Sequence, residues 1–449
     1  MSSPRLVYAA TWLCVAVSIT RCSADSGEPA PPGSPGSTAP EGTDGATTQP
    51  DTTGSAGGSN AAAGHGGAAG ASGSGGGSVA DGGGRVSGTC KGGVSSGLAG
   101  GAPALTPGLW KDISPPGVPY GQNGTIALGI AVDPCNPAII YLCITGFDPV
   151  MAKGGIYKTT DAGSTWRRIG KVKPNYTGVD QIDNPIHVRV DPDDPQHLYL
   201  ADGVRGATTG FWISHDGGET FDMPQSFADV KFFDTYDVAM DPTNAGHVLV
   251  AFHSPWYQDH PTYGTSSGIL ESKDAGVTWI RHEPLPGWGS GSVIHFLSEP
   301  SLGIGDSRTW LLGSPGGLWQ TKDAGVSWIK ASPNGTQHGG GTTYYTKAGV
   351  LYSAGASKNL RSMDNGQSWT EIGPSKGFNS ILGDGQKLYT APCFGPAPFI
   401  TSPETDGLTW TDYNTQQFAQ GPFEMAIDVP NGIMYSGSWG SGLWAMKLP

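Results

Sequence analysis

The chain lacks, from Ser23 to about residue 100, almost everything a packed interior needs. From Ser23 to Gly100 there is no Phe, Trp or Tyr, only Gly, Ser, Ala, Thr, Pro and a few acids for the most part. Ordering such a stretch costs more conformational entropy than its small apolar surface returns, which predicts a disordered stalk over 23–104. At roughly 80 residues, a Gly/Ser coil of this kind has a reach of about 50 Å. Charge is scarce too, at 14 % of residues, and it leans acidic, with a net value of −13. From Leu109 onward 21 Lys and Arg face 32 Asp and Glu. A field of that sign repels polyanions and argues against a nucleic-acid partner.

Long apolar runs are also missing. The longest, Leu6 to Ile19, follows Arg5 and is too brief to span a bilayer, so residues 1–22 read as a secretory signal. Ile19-Thr20-Arg21-Cys22 resembles a lipobox, although Arg21 stands where a small residue is usual. Lipidation at Cys22 and plain cleavage after Ala24 are the two outcomes, and a lipid would be the chain's only link to a membrane. The expected location is therefore outside the cell, either secreted or as a surface or outer-membrane lipoprotein. Cysteine is sparse as well. Cys90, Cys135, Cys143 and Cys393 remain beyond the signal, and four cysteines in an exported chain allow three pairings or a set of buried thiols.

What the chain does have is a repeat. Thr159-Thr160-Asp161-Ala162-Gly163-Ser164-Thr165-Trp166 returns around Asp216, Asp274, Asp323 and Asp364, and more loosely around Asp406. The spacings of 55, 58, 49, 41 and 42 residues between these Asp positions suit one four-stranded sheet per repeat. A tight turn needs Gly where φ is positive, Asp can bond the backbone N–H groups across it, and Trp then packs between sheets. These aspartates are read as structural staples. Short strands of the form Gly-x-Tyr/Trp precede boxes at Gly155, Gly210 and Gly317, and hairpins with Asp-Pro turns lie further upstream at Asp133-Pro134, Asp191-Pro192 and Asp241-Pro242. The last set, ending in Gly442-Leu443-Trp444, lacks its outer strand, while Leu109-Trp110-Lys111-Asp112 has no sheet of its own. Joining them gives an all-β, seven-bladed β-propeller over 105–449, closed by its first strand.

The boxes are similar to those of the Asp-box (BNR) propellers, which include sialidases, xyloglucanase-type glycoside hydrolases, sortilin-like receptors and photosystem assembly factors. The resemblance covers the repeat from Leu109 to Pro449 and implies the fold, while chemistry must come from the site. Sialidases carry three arginines and a Phe-Arg-Ile-Pro segment; no such segment exists here, and Arg189 is the one arginine well placed on an inner strand. Xyloglucanase-type enzymes hold catalytic aspartates between two propellers, and this chain has room for one. Lyases on seven-bladed propellers use His and Tyr with an Arg to neutralise a uronate.

In a propeller the loops entering the innermost strand and those joining strands two and three share one face. That face is expected to collect Asp183, His187, Trp288, His295, His338 and Glu424 from the first set of loops. The second set adds Arg205, His253, Trp256, Tyr257, Asp259, His260, Tyr263 and Trp439. Asp183, His187, His253, Asp259 and Glu424 are the candidates for proton transfer. The candidates for substrate contact are Arg205, Trp256, Tyr257, His260, Tyr263, Trp288, His295 and Trp439. The segment Phe252–Tyr263 stands out as a long insertion that is either a sugar-binding loop or gap-filling packing between blades. Likewise Asp183 and Glu424 are either an acid–base pair or polar lining of a channel. No ligand spacing points to a metal and no cofactor is expected. The expected partner is a polysaccharide or cell-surface glycan. Two readings stand together, a glycoside hydrolase or polysaccharide lyase and a non-catalytic glycan- or protein-binding surface lipoprotein.

Overall fold

Each repeated octet closes a turn by the same set of bonds. The first hydroxyl donates to the Asp Oδ1 over 2.6–2.8 Å and accepts the N–H of the Gly four residues on, over 2.8–3.0 Å. The same carboxylate receives the N–H and, at 2.6 Å, the hydroxyl of the closing Ser or Thr. The residue after Asp also takes positive φ, from 55° at Ala162 to 70° at Gly217, so the turn runs through two left-handed residues. Ser327 and the other donors hold the Asp323 carboxyl down at about 2. Around Asp406 the turn is one residue shorter and only the Leu408 N–H reaches the carboxylate. Glu404 stands there in place of the hydroxyl and instead accepts from Tyr344 and the Gly385 N–H.

These turns organise the computed structural model, which describes residues 90–95, 98, 102–121, 125–146, 153–172, 179–204, 206–230, 234–257 and 260–449. The signal, the lipobox, most of the stalk, Arg205 and Asp259 lie outside those residues. Seven antiparallel sheets make a seven-bladed propeller, six of four strands and one of three. Their inner strands are Thr125–Val132, Pro185–Val190, Thr235–Asp241, Val293–Phe296, Thr343–Tyr345, Ile381–Gly383 and Pro422–Asp428, for blades 1 to 7 in order. Blade 7 takes Trp110–Asp112 as its outer strand, with Trp110 opposite Met446 and Asp112 opposite Trp444. The ring thus closes as the sequence suggests. Blade 2 is the exception to four strands. Its Thr220–Phe221 pairs in parallel with Lys171–Val172 of blade 1, and Asp222 alone pairs back to Ile213 before Pro224 leads into the helix Gln225–Val230.

The box indoles are wedged, half-buried, against the preceding blade. Trp166 donates to the Ile113 carbonyl at 2.8 Å, and Trp279 meets Phe211 and Phe227 edge-on at 5.1 and 5.4 Å. The outcome lies between the two expectations: one bond forms, Cys90–Cys135, and Cys143 and Cys393 are buried thiols. Within the stretch assigned to the stalk, this bond fixes residues 90–95 on the Asp-Pro-turn face, where Lys91 bonds the Asp193 carbonyl and the Asp194 carboxylate. The bond closes 45 residues of chain. Replacing both cysteines by serine is expected to cost about 2–4 kcal/mol in urea unfolding, and an unchanged midpoint would refute a stabilising role.

Inside blade 3, His247 lies between two carboxylates, 2.9 Å from Asp241 and 2.8 Å from Glu271, whose second oxygen takes His282 at 3.0 Å. Burial opposes both charges. The bonds to Asp241 and Glu271 nevertheless raise His247 above its ordinary value, and the two histidines bring Glu271 down from 4.5 to about 2. Because the Glu271 value is depressed on folding, its stabilisation is present above pH 4.5 and lost as pH falls toward 2. The raised His247 has the opposite sign, being fully effective below 6.5 and lost as pH rises through its folded value. Unfolding of Glu271→Gln across an acid pH series should lose part of the parent's slope between pH 4.5 and 2. Superimposable slopes would disprove the assignment.

Candidate functional site

The chemistry-bearing residues sit where inner strands bulge. Register slips between Pro185 and His187, Thr235 and Asp237, and Pro422 and Glu424 put His187, Asp237 and Glu424 at matching positions. Each lies four residues before the Asp of its hairpin turn, namely Asp191, Asp241 and Asp428. A bulge re-aims side chains, and here it brings them together at the ring's centre. Arg189 bridges two of them, with Nη1 3.1 Å from Glu424 and Nη2 3.3 Å from Asp237. The spare oxygens are bonded as well: Glu424 accepts the Ile130 N–H at 2.8 Å and Asp237 the Ile294 N–H at 3.0 Å. His187 donates from Nδ1 to the Tyr236 carbonyl at 2.8 Å, and His295 bonds the Gly341 carbonyl at 3.0 Å. All five side chains are buried. Burial pushes the Glu424 carboxyl above its usual range, and Arg189 and His187 only partly reverse this. The space left between these residues, His295 and Gly339–Gly341 has room for about one water molecule.

Beside this floor lies a second cluster that is open to solvent. His253 Nδ1 is 2.9 Å from Asp234, whose carboxylate also accepts from Ser254 and the Val204 N–H. Asp234 itself has φ of 73°, a strained setting for a non-glycine residue. Burial would raise its pKa, but the bonds from His253, Ser254 and the Val204 N–H hold it below the usual value. His338 meets His253 edge-on at 4.7 Å and Tyr236 at 5.3 Å. Although His338 keeps an exposed edge, loss of water around the ring and the nearby His253 push it down to about 4. At neutral pH the cluster therefore pairs a carboxylate-held imidazole with a neutral one. Such an arrangement can take up and pass on a proton.

The remaining candidates are scattered. Asp183 secures the loop of blade 2, accepting the Ala207 N–H at 2.7 Å and the Thr208 hydroxyl at 2.6 Å. The insertion after Phe252 divides: His253 faces the cluster at the mouth, while Trp256 packs on Phe252 and under Arg281 of the outermost strand. Tyr257, His260 and Tyr263 form a ring group on that outer side. Trp439 is half-buried between Phe394 and Phe423. Trp288 corrects the expectation of a sugar platform. It is wholly buried against Trp328 between blades, leaving no face open to a ligand. Asp234 and Asp237 were not among the sequence candidates. Asp237 shares its register with Glu424 and was legible from that; Asp234 carries no sequence signal.

No family model matches the chain. Over 180 residues it is 31 % identical to the xyloglucanase Xgh74A of Acetivibrio thermocellus, covering 37 % of this chain and 20 % of that protein. The chain thus spans about a fifth of the length of that curated relative. Among solved structures it resembles the extracellular domain of a hybrid two component system from B. thetaiotaomicron, at 14 % identity and a TM-score of 0.51, over 71 % of this chain and 39 % of that one. An ancestral GH74 enzyme matches at 16 % identity and a TM-score of 0.44, over 77 % and 45 % of the two chains. At these identities the likeness to the solved structures is one of fold.

Proposed function

We propose that the protein is an exported Asp-box propeller that acts on an extracellular, uncharged polysaccharide, with His253 as its proton carrier. The observation that carries this reading is the Asp234–His253 pair at the mouth of the ring, facing His338. A carboxylate on Nδ1 fixes the tautomer and leaves Nε2 as the basic nitrogen, the logic by which many hydrolases orient an imidazole. In this reading His187, Arg189, Asp237 and Glu424 form the floor and Asp183 secures the adjoining loop. Hydrolysis is favoured over elimination because Arg189 spends its charge on two carboxylates and is not offered to a uronate. The similarity to a xyloglucanase supports a carbohydrate substrate.

A non-catalytic glycan- or protein-binding surface lipoprotein is the second reading. It is favoured by the engagement of Asp183 and Glu424 in structural bonds. The full chain should be incubated with xyloglucan, the polymer that gives the relative its name, with other neutral glycans and with an acidic pectate. New reducing ends from a neutral polymer are the expected result. Unsaturated ends from pectate would replace hydrolysis by elimination, and no release from any polymer would leave the binding reading.

A further inference from the structure

We infer that the insertion between Phe252 and Ile269 carries a second, adhesive sugar site on the outer side of blade 3, separate from the mouth. It rests on the polysaccharide reading above and adds a division of labour within one loop. Other described connections between second and third strands are shorter, from Ser314 to Gly317 at one extreme to Thr390 to Ile400 at the other. The extra length here is held by polar bonds and ring contacts, with Tyr257 and Tyr263 left half-exposed and His260 exposed. His260 Nδ1 accepts the N–H groups of Thr262 and Tyr263 at 3.1 and 3.2 Å, and its ring stacks on Tyr263 at 4.8 Å. Tyr257 lies 6.2 Å from Tyr263 and donates to Glu283 at 2.6 Å. Beneath them Arg281 stacks on Trp256 at 4.6 Å.

The rings are therefore fixed before any ligand arrives, which keeps the ordering cost of binding low. Aromatic faces suit the C–H faces of sugar rings, and the phenol and carboxylate at their edge suit hydroxyls. The charge of Arg281 is met by Glu283 at 2.5 Å, and the chain as a whole is acidic. This surface therefore selects a neutral glycan chain over an acidic one. Because the loop begins at His253 and carries Tyr257 out to Glu283 beside the outer strand, a long polymer would engage both places and a short oligosaccharide only one.

The test is retardation of the full chain in gels containing xyloglucan, with turnover measured on the polymer and on its oligosaccharides. Tyr257→Ala with Tyr263→Ala should weaken retardation by at least about tenfold and spare turnover of oligosaccharides. The double Phe variant keeps the rings and should stay within about threefold of the parent. His253→Ala should still be retarded. Matching thermal transitions guard against unfolding. A parent that is not retarded, or a double Ala variant retarded like the parent, overturns the inference. Retardation without turnover upholds it and removes the enzymatic reading instead.

Discussion

Arg189→Ala is expected to lower the unfolding free energy by about 3–5 kcal/mol, read as the midpoint of urea denaturation. The guanidinium bonds both Glu424 and Asp237, which belong to blades 7 and 3, while Arg189 itself belongs to blade 2. Removing it leaves two buried carboxylates facing one another, each still bonded to a backbone N–H of a further blade. An uncompensated buried charge is costlier than a lost surface pair, which sets the magnitude. Lysine should not rescue the loss, because a single ammonium cannot span both acceptors as the planar fork does. Glu424→Gln keeps the shape and should be milder, since burial already raises this carboxyl toward its neutral form. A midpoint for Arg189→Ala within about 1 kcal/mol of the parent would show that these charges do not tie the blades.

The second large effect concerns turnover. His253→Ala should reduce polysaccharide cleavage by about 10²–10⁴-fold, the range for loss of a positioned proton carrier. Stability should barely change, because His253 is half-buried and its ring lies at the mouth. Asp234→Asn should produce a comparable loss by releasing the imidazole into the wrong tautomer, without removing a ring. Because Asp234 also accepts from Ser254 and the Val204 N–H, its thermal transition must be followed alongside. Full activity in His253→Ala would remove the histidine from the chemistry and return attention to the carboxylates.

The fold was readable because its instructions are local. Asp161 and Thr165 meet over four residues, so the octet announces its own turn. Even the closure was legible, since an orphan strand at Trp110 and a blade lacking one at Trp444 have a single economical solution. The site is written differently. Arg189 and Glu424 meet across 235 residues, and no spacing in the chain hints at it. Asp234 is placed by a left-handed backbone and a loop contact, neither of which has a residue pattern. Trp288 lies in an entering loop as foreseen, yet the cost of leaving an indole in water turns it inward against Trp328. The aromatic insertion was visible as a cluster, but its split between mouth and rim depends on Arg281, which comes from the outermost strand.

The bond between Cys90 and Cys135 has a mechanical corollary. A pull on the chain from its N-terminal side is delivered to the hairpin turn of blade 1, twenty residues ahead of Trp110. The strand that zips the circle shut therefore bears no load while the sulfur link holds. Reduction would leave the Lys91 bonds to Asp193 and Asp194 as the next anchor, and once they gave way the force would fall on the seam at Trp110–Asp112.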